Sequence, residues 1–258
     1  MVNVPPCTGV GPQCHGLDVT LRCAGLEGGP ESADHEATWL LGHTERIDFG
    51  PLVRHGAELR CAAYLAVPCR FAEVTGPSVH CRAHGFAGPA PAPERTPAAR
   101  RLGGDRFAMV QNGTLALVDL KQPTVGLPVL EGDNPCATAQ CRTADHKIGA
   151  ACCRDLQISI LCGPEETTLE SLVRARKSPY LCKIDREGPD SLGAEAISAC
   201  SFLGEDGITC GLHGRYRGDH RSAKPGLCFD WPKPGDVYHK GCVFRPMEPT
   251  KRLTNNDL

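Results

Sequence analysis

The segments Cys14-His-Gly-Leu-Asp-Val-Thr-Leu-Arg-Cys23 and Cys153-Arg-Asp-Leu-Gln-Ile-Ser-Ile-Leu-Cys162 share one pattern, in which two cysteines enclose a short run rich in β-forming residues. The two segments lie 139 residues apart. Runs of this composition predict β-strands. A pattern that returns at a fixed offset indicates an internal duplication. We therefore expect two related copies along the chain.

Further similarities support the duplication. Ile47-Asp48 is followed by Gly50-Pro51, and Ile184-Asp185 is followed by Gly188-Pro189. The offset of 139 residues also carries Cys61 onto Cys200, where Cys61-Ala-Ala-Tyr-Leu is similar to Cys200-Ser-Phe-Leu. Some coincidences of spacing arise by chance among many cysteines, so a cysteine-rich chain without a duplication is the alternative.

The stretch between the two copies, residues 82–135, contains no cysteine. It begins with the proline-rich residues 88–97, which are typical of a semi-rigid linker. Two apolar-rich runs then flank Asn112-Gly113, and this arrangement predicts a β-hairpin. The predicted organisation is a degenerate first copy (1–87), a linker with a hairpin (88–133), a cysteine-cluster domain (134–245) and a tail (246–258).

Two segments carry the pattern of a helix. Residues 167–176 place apolar side chains at i, i+3 and i+4, begin with threonine and end with arginines. Residues 32–41 occupy the corresponding place in the first copy, and the remainder indicates short strands and loops. The expected fold class is α+β, with small cysteine-rich, metal-stabilised modules in which short strands and helices are irregularly arranged.

The composition favours turns and a core of small side chains. Glycine and proline, 29 and 22 of 258 residues, are more frequent than usual, and only 5% of the residues are aromatic. The core must therefore consist of aliphatic residues and cysteine. A formal net charge of −2 provides no basic field for nucleic acid or an anionic membrane. No apolar run reaches the length of about 18 residues that indicates a membrane span.

The 16 cysteines have two interpretations. In an oxidising compartment they would form disulfides, whereas in a reducing cytosol they more often bind metal or carry out redox chemistry. The N-terminal sequence Met1-Val-Asn-Val-Pro5-Pro6-Cys7 lacks the basic and apolar regions of a secretion signal, which favours the cytoplasm. A chain whose signal has already been removed would look the same.

The second half carries the most specific pattern. Cys136 and Cys141 precede the adjacent pair Cys152-Cys153, and three segments follow: Cys200-Ser-Phe-Leu, Cys210-Gly-Leu-His213 and Lys224-Pro225-Gly-Leu-Cys228-Phe-Asp-Trp231. Over residues 134–232 this pattern resembles the bacterial YkgJ-like cysteine-cluster family, which is described as zinc- or iron-chelating. Lys224-Pro225 stands where the family has Arg-Pro, Leu212-His213 stands where it has an Ile-Tyr-like pair, and the first spacings are longer. The resemblance implies metal ligands from Cys136, Cys141, Cys152, Cys153, Cys200, Cys210 and Cys228.

Coordination chemistry is compatible with such a site. Thiolates select Zn²⁺, Cu(I) or iron–sulfur clusters over Mg²⁺ and Ca²⁺. Four ligands close a structural zinc site, so seven cysteines imply two metals, a polynuclear cluster or one site with additional thiols. Adjacent cysteines do not easily chelate one ion, so Cys152 and Cys153 would serve different metals or one would pack in the core. Disulfides and buried thiols are the alternatives.

The first copy contains a second set of candidates, although Gln13 occupies the place of Cys152. The candidate ligands of this second site are Cys7, Cys14, Cys61, Cys69, Cys81 and His84. A degenerate copy that only packs against the other is the alternative. Cys23 and Cys162 lie in apolar runs and are expected in the core, while Cys182 and Cys242 are expected to be accessory.

The predicted function is that of a zinc- or iron-binding cysteine-cluster protein of the bacterial cytoplasm, with the metal ion and an unidentified protein as partners. No phosphate-binding loop, Ser-His-Asp order or His-Glu-x-x-His motif is present, and no catalytic residue stands out.

One alternative is an iron-dependent or iron–sulfur redox enzyme, with His146, His213 or Asp206 near an open coordination position. Histidines in exposed loops are nevertheless common. The other alternative is an exported binding domain stapled by disulfides.

Overall fold

A computed structural model describes residues 4–25, 28–91, 106–121, 153–205, 210–212, 215–218 and 221–230. For residues 229 and 230 it describes the backbone only. Several predicted site residues lie outside the described residues, namely Cys136, Cys141, Cys152, Cys242, His146, His213 and Asp206. The linker and the tail also lie largely outside them.

The two segments that share the cysteine-bounded pattern form neighbouring strands, β1 (Leu17–Cys23) and β9 (Asp155–Leu161). They lie in the middle of a six-stranded antiparallel sheet, whose other strands are β2 (Ile47–His55), β3 (Glu58–Leu65), β10 (Leu181–Gly188) and β11 (Ser191–Ile197). The strand order is β10-β11-β9-β1-β3-β2. Alternate residues of β1 are buried, as expected for a strand with one face on the core.

The two halves of this sheet have the same construction. Each half consists of a strand, a helix and two further strands, with α1 (Pro30–Leu41) in the first half and α2 (Thr167–Arg174) in the second. From the centre outward, the strand order is β1-β3-β2 in one half and β9-β11-β10 in the other. Antiparallel pairing of β1 with β9 joins the halves, so they are related by an approximate two-fold rotation. The two halves are called the first and the second repeat below.

The expected α+β class is wrong, because the described residues are mostly β, with 45% strand, 15% helix and three antiparallel sheets. Each repeat contributes a single long helix against three long strands. Residues 47–65 were expected as short, irregular pieces, yet they form the paired strands β2 and β3. Gly56 permits the turn between them, because its φ of 61° is costly for other residues. The repeats also share one core rather than forming separate small modules.

The core consists of aliphatic side chains and cysteine, as the composition predicts. Leu21 and Ile160, which face each other across the two central strands, are fully buried. Cys23 and Cys162 are also in this core, with 0% and 1% exposure, which confirms the prediction for both. Ala37 and Leu40 of α1 and Val173 of α2 cover the sheet.

A hairpin connects the repeats, as the Asn-Gly pair predicts. It consists of β7 (Arg106–Gln111) and β8 (Thr114–Lys121), with Asn112 and Gly113 at φ 49° and 75° in the turn. The Gly113 N–H donates to the Asp34 carboxylate of α1 at 3.1 Å, which fastens the hairpin to the first repeat. The two-residue strand β12 (Tyr216–Arg217) pairs with the other edge of β8.

The third sheet follows β3 and consists of β4 (Ala72–Thr75), β5 (Ser78–Cys81) and β6 (Ala87–Pro89). Two short helical turns complete the described elements, a 3₁₀ helix at Pro12–Cys14 and α3 at Leu227–Asp230. In the part of the chain that the structure describes, no helix is long and apolar enough to cross a membrane.

Candidate functional site

Both repeats bring a cysteine that precedes their first strand to a cysteine that follows their last strand. In the first repeat, the Cys69 N–H donates to the Cys14 carbonyl oxygen at 3.0 Å. In the second repeat, the Cys200 N–H donates to the Cys153 carbonyl oxygen at 2.7 Å. The same backbone contact therefore closes both repeats.

The correspondence continues through a third cysteine. Ala72 pairs with Cys81 in the first repeat, and Leu203 forms the matching antiparallel bridge with Cys210 in the second. The backbone N–H of Arg82 donates to the Phe71 carbonyl oxygen at 2.9 Å, and the backbone N–H of Gly211 donates to the Phe202 carbonyl oxygen at 2.7 Å. We call Cys7, Cys14, Cys69, Cys81 and His84 the first cluster, and Cys153, Cys200 and Cys210 the second cluster.

These contacts show that Cys69, rather than Cys61, is the counterpart of Cys200. The sequence contains this signal, because Cys69-Arg-Phe-Ala and Cys81-Arg-Ala-His84 match Cys200-Ser-Phe-Leu and Cys210-Gly-Leu-His213. A comparison at a fixed offset of 139 residues misses this match between Cys69 and Cys200. The reason is that the strands and connections that precede Cys200 in the second repeat are shorter than those that precede Cys69 in the first.

The side chains of the first cluster line one cavity of about 20 Å³. The Cys81 Sγ lies 3.4 Å from the His84 Nδ1, and the His84 ring stacks on Phe86. Cavities that bind organic ligands are of the order of 300–1,000 Å³, whereas a single water-sized particle needs only about 10–15 Å³. The cavity therefore suits an ion and not an organic substrate.

The thiols of the first cluster lie within electrostatic reach of one another. Burial raises the pKa of the Cys7 thiol, and the neighbouring Cys69, Cys81 and Cys14 raise the pKa further. None of these four cysteines is in a disulfide. Because like charges repel, several of these sulfurs can be thiolates together only if a cation neutralises them.

Arg176, which follows α2 of the second repeat, also lines this cavity. Its side chain is fully buried, and its guanidinium donates to the carbonyl oxygens of Gln13, Gly16 and Leu172. Its Nε has no hydrogen-bond partner among the described residues. Burial lowers the pKa of this guanidinium, and the thiols of Cys69, Cys14 and Cys7 are among the groups that counteract this effect.

The structure places Cys61 apart from the first cluster. Cys61 lies on β3 in the core, and its Sγ donates to the Ala62 carbonyl oxygen at 3.3 Å. Burial raises the pKa of its thiol to about 11. Of the six candidates in the first copy, the structure therefore brings together five: Cys7, Cys14, Cys69, Cys81 and His84.

The second cluster repeats this arrangement in part. Burial raises the pKa of the Cys200 thiol to about 11, and the nearby Cys210 also raises it. The backbone N–H groups of Phe202 and Leu203 approach the Cys200 sulfur and favour the thiolate.

Two further cysteines of the second half lie outside the second cluster as defined above. Cys228 is half-buried at the start of α3. Cys182 lies on β10, where its Sγ is 3.6 Å from Oε1 of Glu195.

Within the described residues, no group of three or more His, Cys, Asp or Glu side chains is arranged so that it could hold a metal ion. The thiols of the first cluster thus share a cavity without surrounding a single point. A cysteine has one side-chain torsion, so a staggered rotation about this bond is enough to redirect its sulfur.

Comparison with known proteins finds no matching family model, no matching curated protein and no matching solved structure.

Proposed function

We propose that this protein binds zinc or iron through the thiolates of the first cluster, and that the second cluster contributes to a related site. The observation that carries the proposal is Arg176, a fully buried cation that forms no ion pair with an Asp or Glu among the described residues. A buried charge is costly unless it is compensated. Four thiolates around a divalent ion have a net negative charge, which would compensate the guanidinium.

The donor set supports the same conclusion. Sulfur and imidazole are the ligand types that zinc and iron take in closed protein sites, and the first cluster offers five such donors where a closed zinc site needs four. The cavity has room for an ion, and rotation of the cysteine side chains would bring the sulfurs around it. In this state the ion would remove the repulsion between thiolates and would link the N-terminal turn, the end of β3 and β5.

The resemblance of residues 134–232 to YkgJ-like proteins supports the same chemistry for the second repeat. We infer that the protein is a metal-binding cysteine-cluster protein of the bacterial cytoplasm, where a reducing environment keeps thiols available as ligands.

The test is the metal content of anaerobically purified protein, measured by elemental mass spectrometry together with a visible spectrum and a thiol titration. The informative variant is Cys69→Ser, and Cys182→Ser is the matched control, because Cys182 lies on β10 outside both clusters. We expect Cys69→Ser to lose about one metal ion per chain and Cys182→Ser to lose none.

A protein without metal and with its thiols blocked would contradict the proposal and would indicate disulfides instead. Equal metal content in both variants would also contradict the assignment to the first cluster. Iron with absorption near 400 nm would identify an iron–sulfur centre, and a colourless zinc protein would identify a closed zinc site.

A further inference from the structure

Cys14 and Cys69 are held beside each other by the backbone and share one cavity. The Cys69 N–H donates to the Cys14 carbonyl oxygen at 3.0 Å, and both residues line the cavity of the first cluster. With standard bond lengths, such a hydrogen bond keeps the two Cα atoms within about 7 Å, and bonded pairs in antiparallel strands lie about 5.5 Å apart. Disulfides usually join Cα atoms about 4.4–6.8 Å apart. The fold therefore already holds these two cysteines at the separation that a disulfide requires.

A cysteine pair occupies the same place in the second repeat. The Cys200 N–H donates to the Cys153 carbonyl oxygen at 2.7 Å, so the backbone keeps this pair at a similar separation. The sequences around the two pairs differ, yet each repeat sets one cysteine before its first strand against one cysteine after its last strand. The recurring unit is thus a pair of thiols rather than a single thiol.

The two thiols of the first pair differ in their accessibility. Cys69 is half-buried, whereas Cys14 is 8% exposed. An oxidant from the solvent therefore reaches the Cys69 sulfur first, and the buried Cys14 thiol is the neighbour that can react with the oxidised sulfur. The shared cavity of about 20 Å³ is far smaller than the cavities that bind organic molecules, so the oxidant must be small.

We propose that Cys14 and Cys69 form a redox pair, which hydrogen peroxide converts to a disulfide. The Cys69 sulfur attacks one peroxide oxygen, the O–O bond breaks, and water and a sulfenic acid form. The Cys14 sulfur then attacks the Cys69 sulfur, so that the S–S bond forms, the S–O bond breaks and a second water leaves. Two sulfurs are oxidised, one peroxide is reduced, and both thiol hydrogens end in water. A dithiol reductant reverses the reaction by exchange and becomes a disulfide itself.

The disulfide would switch off the proposed metal site, and this consequence rests on the proposed function. It removes two sulfur donors from the first cluster and leaves Cys7, Cys81 and His84, which are three donors where a closed zinc site needs four. The new bond joins residues that are already in backbone contact, so the sheet can stay in place. The first cluster would bind metal in the reduced protein and release it in the oxidised protein.

The test of the redox pair uses the full chain, purified without oxygen and freed of metal with a chelator. Hydrogen peroxide is added in stoichiometric steps, the remaining thiols are alkylated, and a tryptic digest is analysed by mass spectrometry. A bond between Cys14 and Cys69 links the peptides 1–22 and 61–70. We expect this link to form with the loss of two thiols, with an unchanged circular dichroism spectrum, and to disappear with dithiothreitol.

Single substitutions assign the bond, because each of the two peptides contains a second cysteine. Cys14→Ser and Cys69→Ser should each abolish the link. Cys61→Ser is the matched control, since Cys61 lies on the same peptide as Cys69 but in the core on β3, and it should leave the link unchanged. A link that persists in Cys14→Ser, or that forms only after circular dichroism shows unfolding, would overturn the redox pair.

The Zn²⁺-loaded protein tests the switch, with a chromophoric chelator to detect released metal. We expect about one Zn²⁺ to be released for each Cys14–Cys69 disulfide formed. Disulfide formation with the Zn²⁺ retained would overturn the switch. A chain that binds Zn²⁺ but forms no such disulfide would overturn the redox pair and leave the proposed function in place. A chain that forms the disulfide but never binds Zn²⁺ would overturn the proposed function and leave the redox pair in place.

Discussion

Arg176 gives a test of the charge on the first cluster. If a metal holds several thiolates there, Arg176→Gln leaves the negative charge uncompensated, and we expect metal affinity at this site to fall by roughly 10–100-fold. Competition with a chromophoric chelator measures this affinity. Arg186→Gln is the control, because the Arg186 guanidinium pairs with Glu170 rather than lining the cavity of the first cluster.

The opposite charge state predicts the opposite result for this variant. If the cluster consisted of protonated thiols, Arg176 would be an uncompensated buried cation, and replacing it by a neutral residue would raise the Tm. A higher Tm together with unchanged metal affinity would therefore contradict an anionic cluster.

Sequence patterns identify the cysteines of the clusters but not the residues that cover them. A thiol is recognisable by its residue type and spacing, so Cys14, Cys69 and Cys81 were candidates from the sequence. Arg176 follows a helix in the opposite repeat, and no local pattern distinguishes it from other basic residues. Only the pairing of the two repeats brings it to the cysteines of the first cluster.

At the scale of elements, α2 is fastened to β10 by the Glu170 carboxylate. Glu170 accepts from Arg186 at 2.6 Å and from Arg174 at 2.8 Å, and Arg186 also donates to the Cys162 carbonyl at 2.8 Å. The hydrogen bonds from Arg186 and Arg174 lower the pKa of the Glu170 carboxyl group. The ionised form is therefore favoured in the folded protein.

The stabilisation by Glu170 should depend on pH in a defined direction. A carboxyl group whose pKa is lower in the folded state stabilises the fold above its unfolded pKa of about 4.3, and this stabilisation is lost as the pH falls. We expect Glu170→Gln to lower the Tm by roughly 2–4 °C at pH 7, and the difference from the unmodified protein to shrink below about pH 4.5. Thermal unfolding followed by circular dichroism from pH 3.5 to 7 measures this, and a difference that grows in acid would contradict the assigned role.

Local sequence patterns correctly predicted one helix and one hairpin. The helix at α2 and the hairpin around Asn112-Gly113 are present, because helix periodicity and an Asn-Gly turn act within a few residues. The strands β2 and β3 were missed as long elements, since Gly50-Pro51 interrupts the first of them and suggests a loop. Pairing with β3 keeps this segment extended, with an irregularity in the register between Phe49 and Leu52.

At the scale of the whole molecule, the repeats are joined through their first strands, an arrangement that the sequence does not encode locally. Similarity between the segments at 14–23 and 153–162 indicates related copies, yet it is equally compatible with two separate modules on a linker. The burial of Leu21 and Ile160 on neighbouring strands makes one continuous core. Arg176, at the end of α2, then lines the cavity of the first cluster, so this cluster depends on both repeats.

The shared core predicts that the two repeats unfold as one unit. Ile160 is fully buried in the second repeat and pairs with Leu21 of the first, so Ile160→Ala should destabilise the protein by about 2–5 kcal/mol. Trp39 lies on α1 in the first repeat, and in a Trp231→Phe background its fluorescence reports on that repeat alone. We expect the denaturant midpoint seen by Trp39 to fall together with the midpoint from circular dichroism, because a cooperative domain unfolds in a single transition.

Leu117→Ala is the control, since Leu117 is 57% exposed on the hairpin and should change neither midpoint. A Trp39 midpoint that stays constant in Ile160→Ala, while circular dichroism shows an earlier transition, would mean that the first repeat is stable without the second and would contradict a single cooperative core.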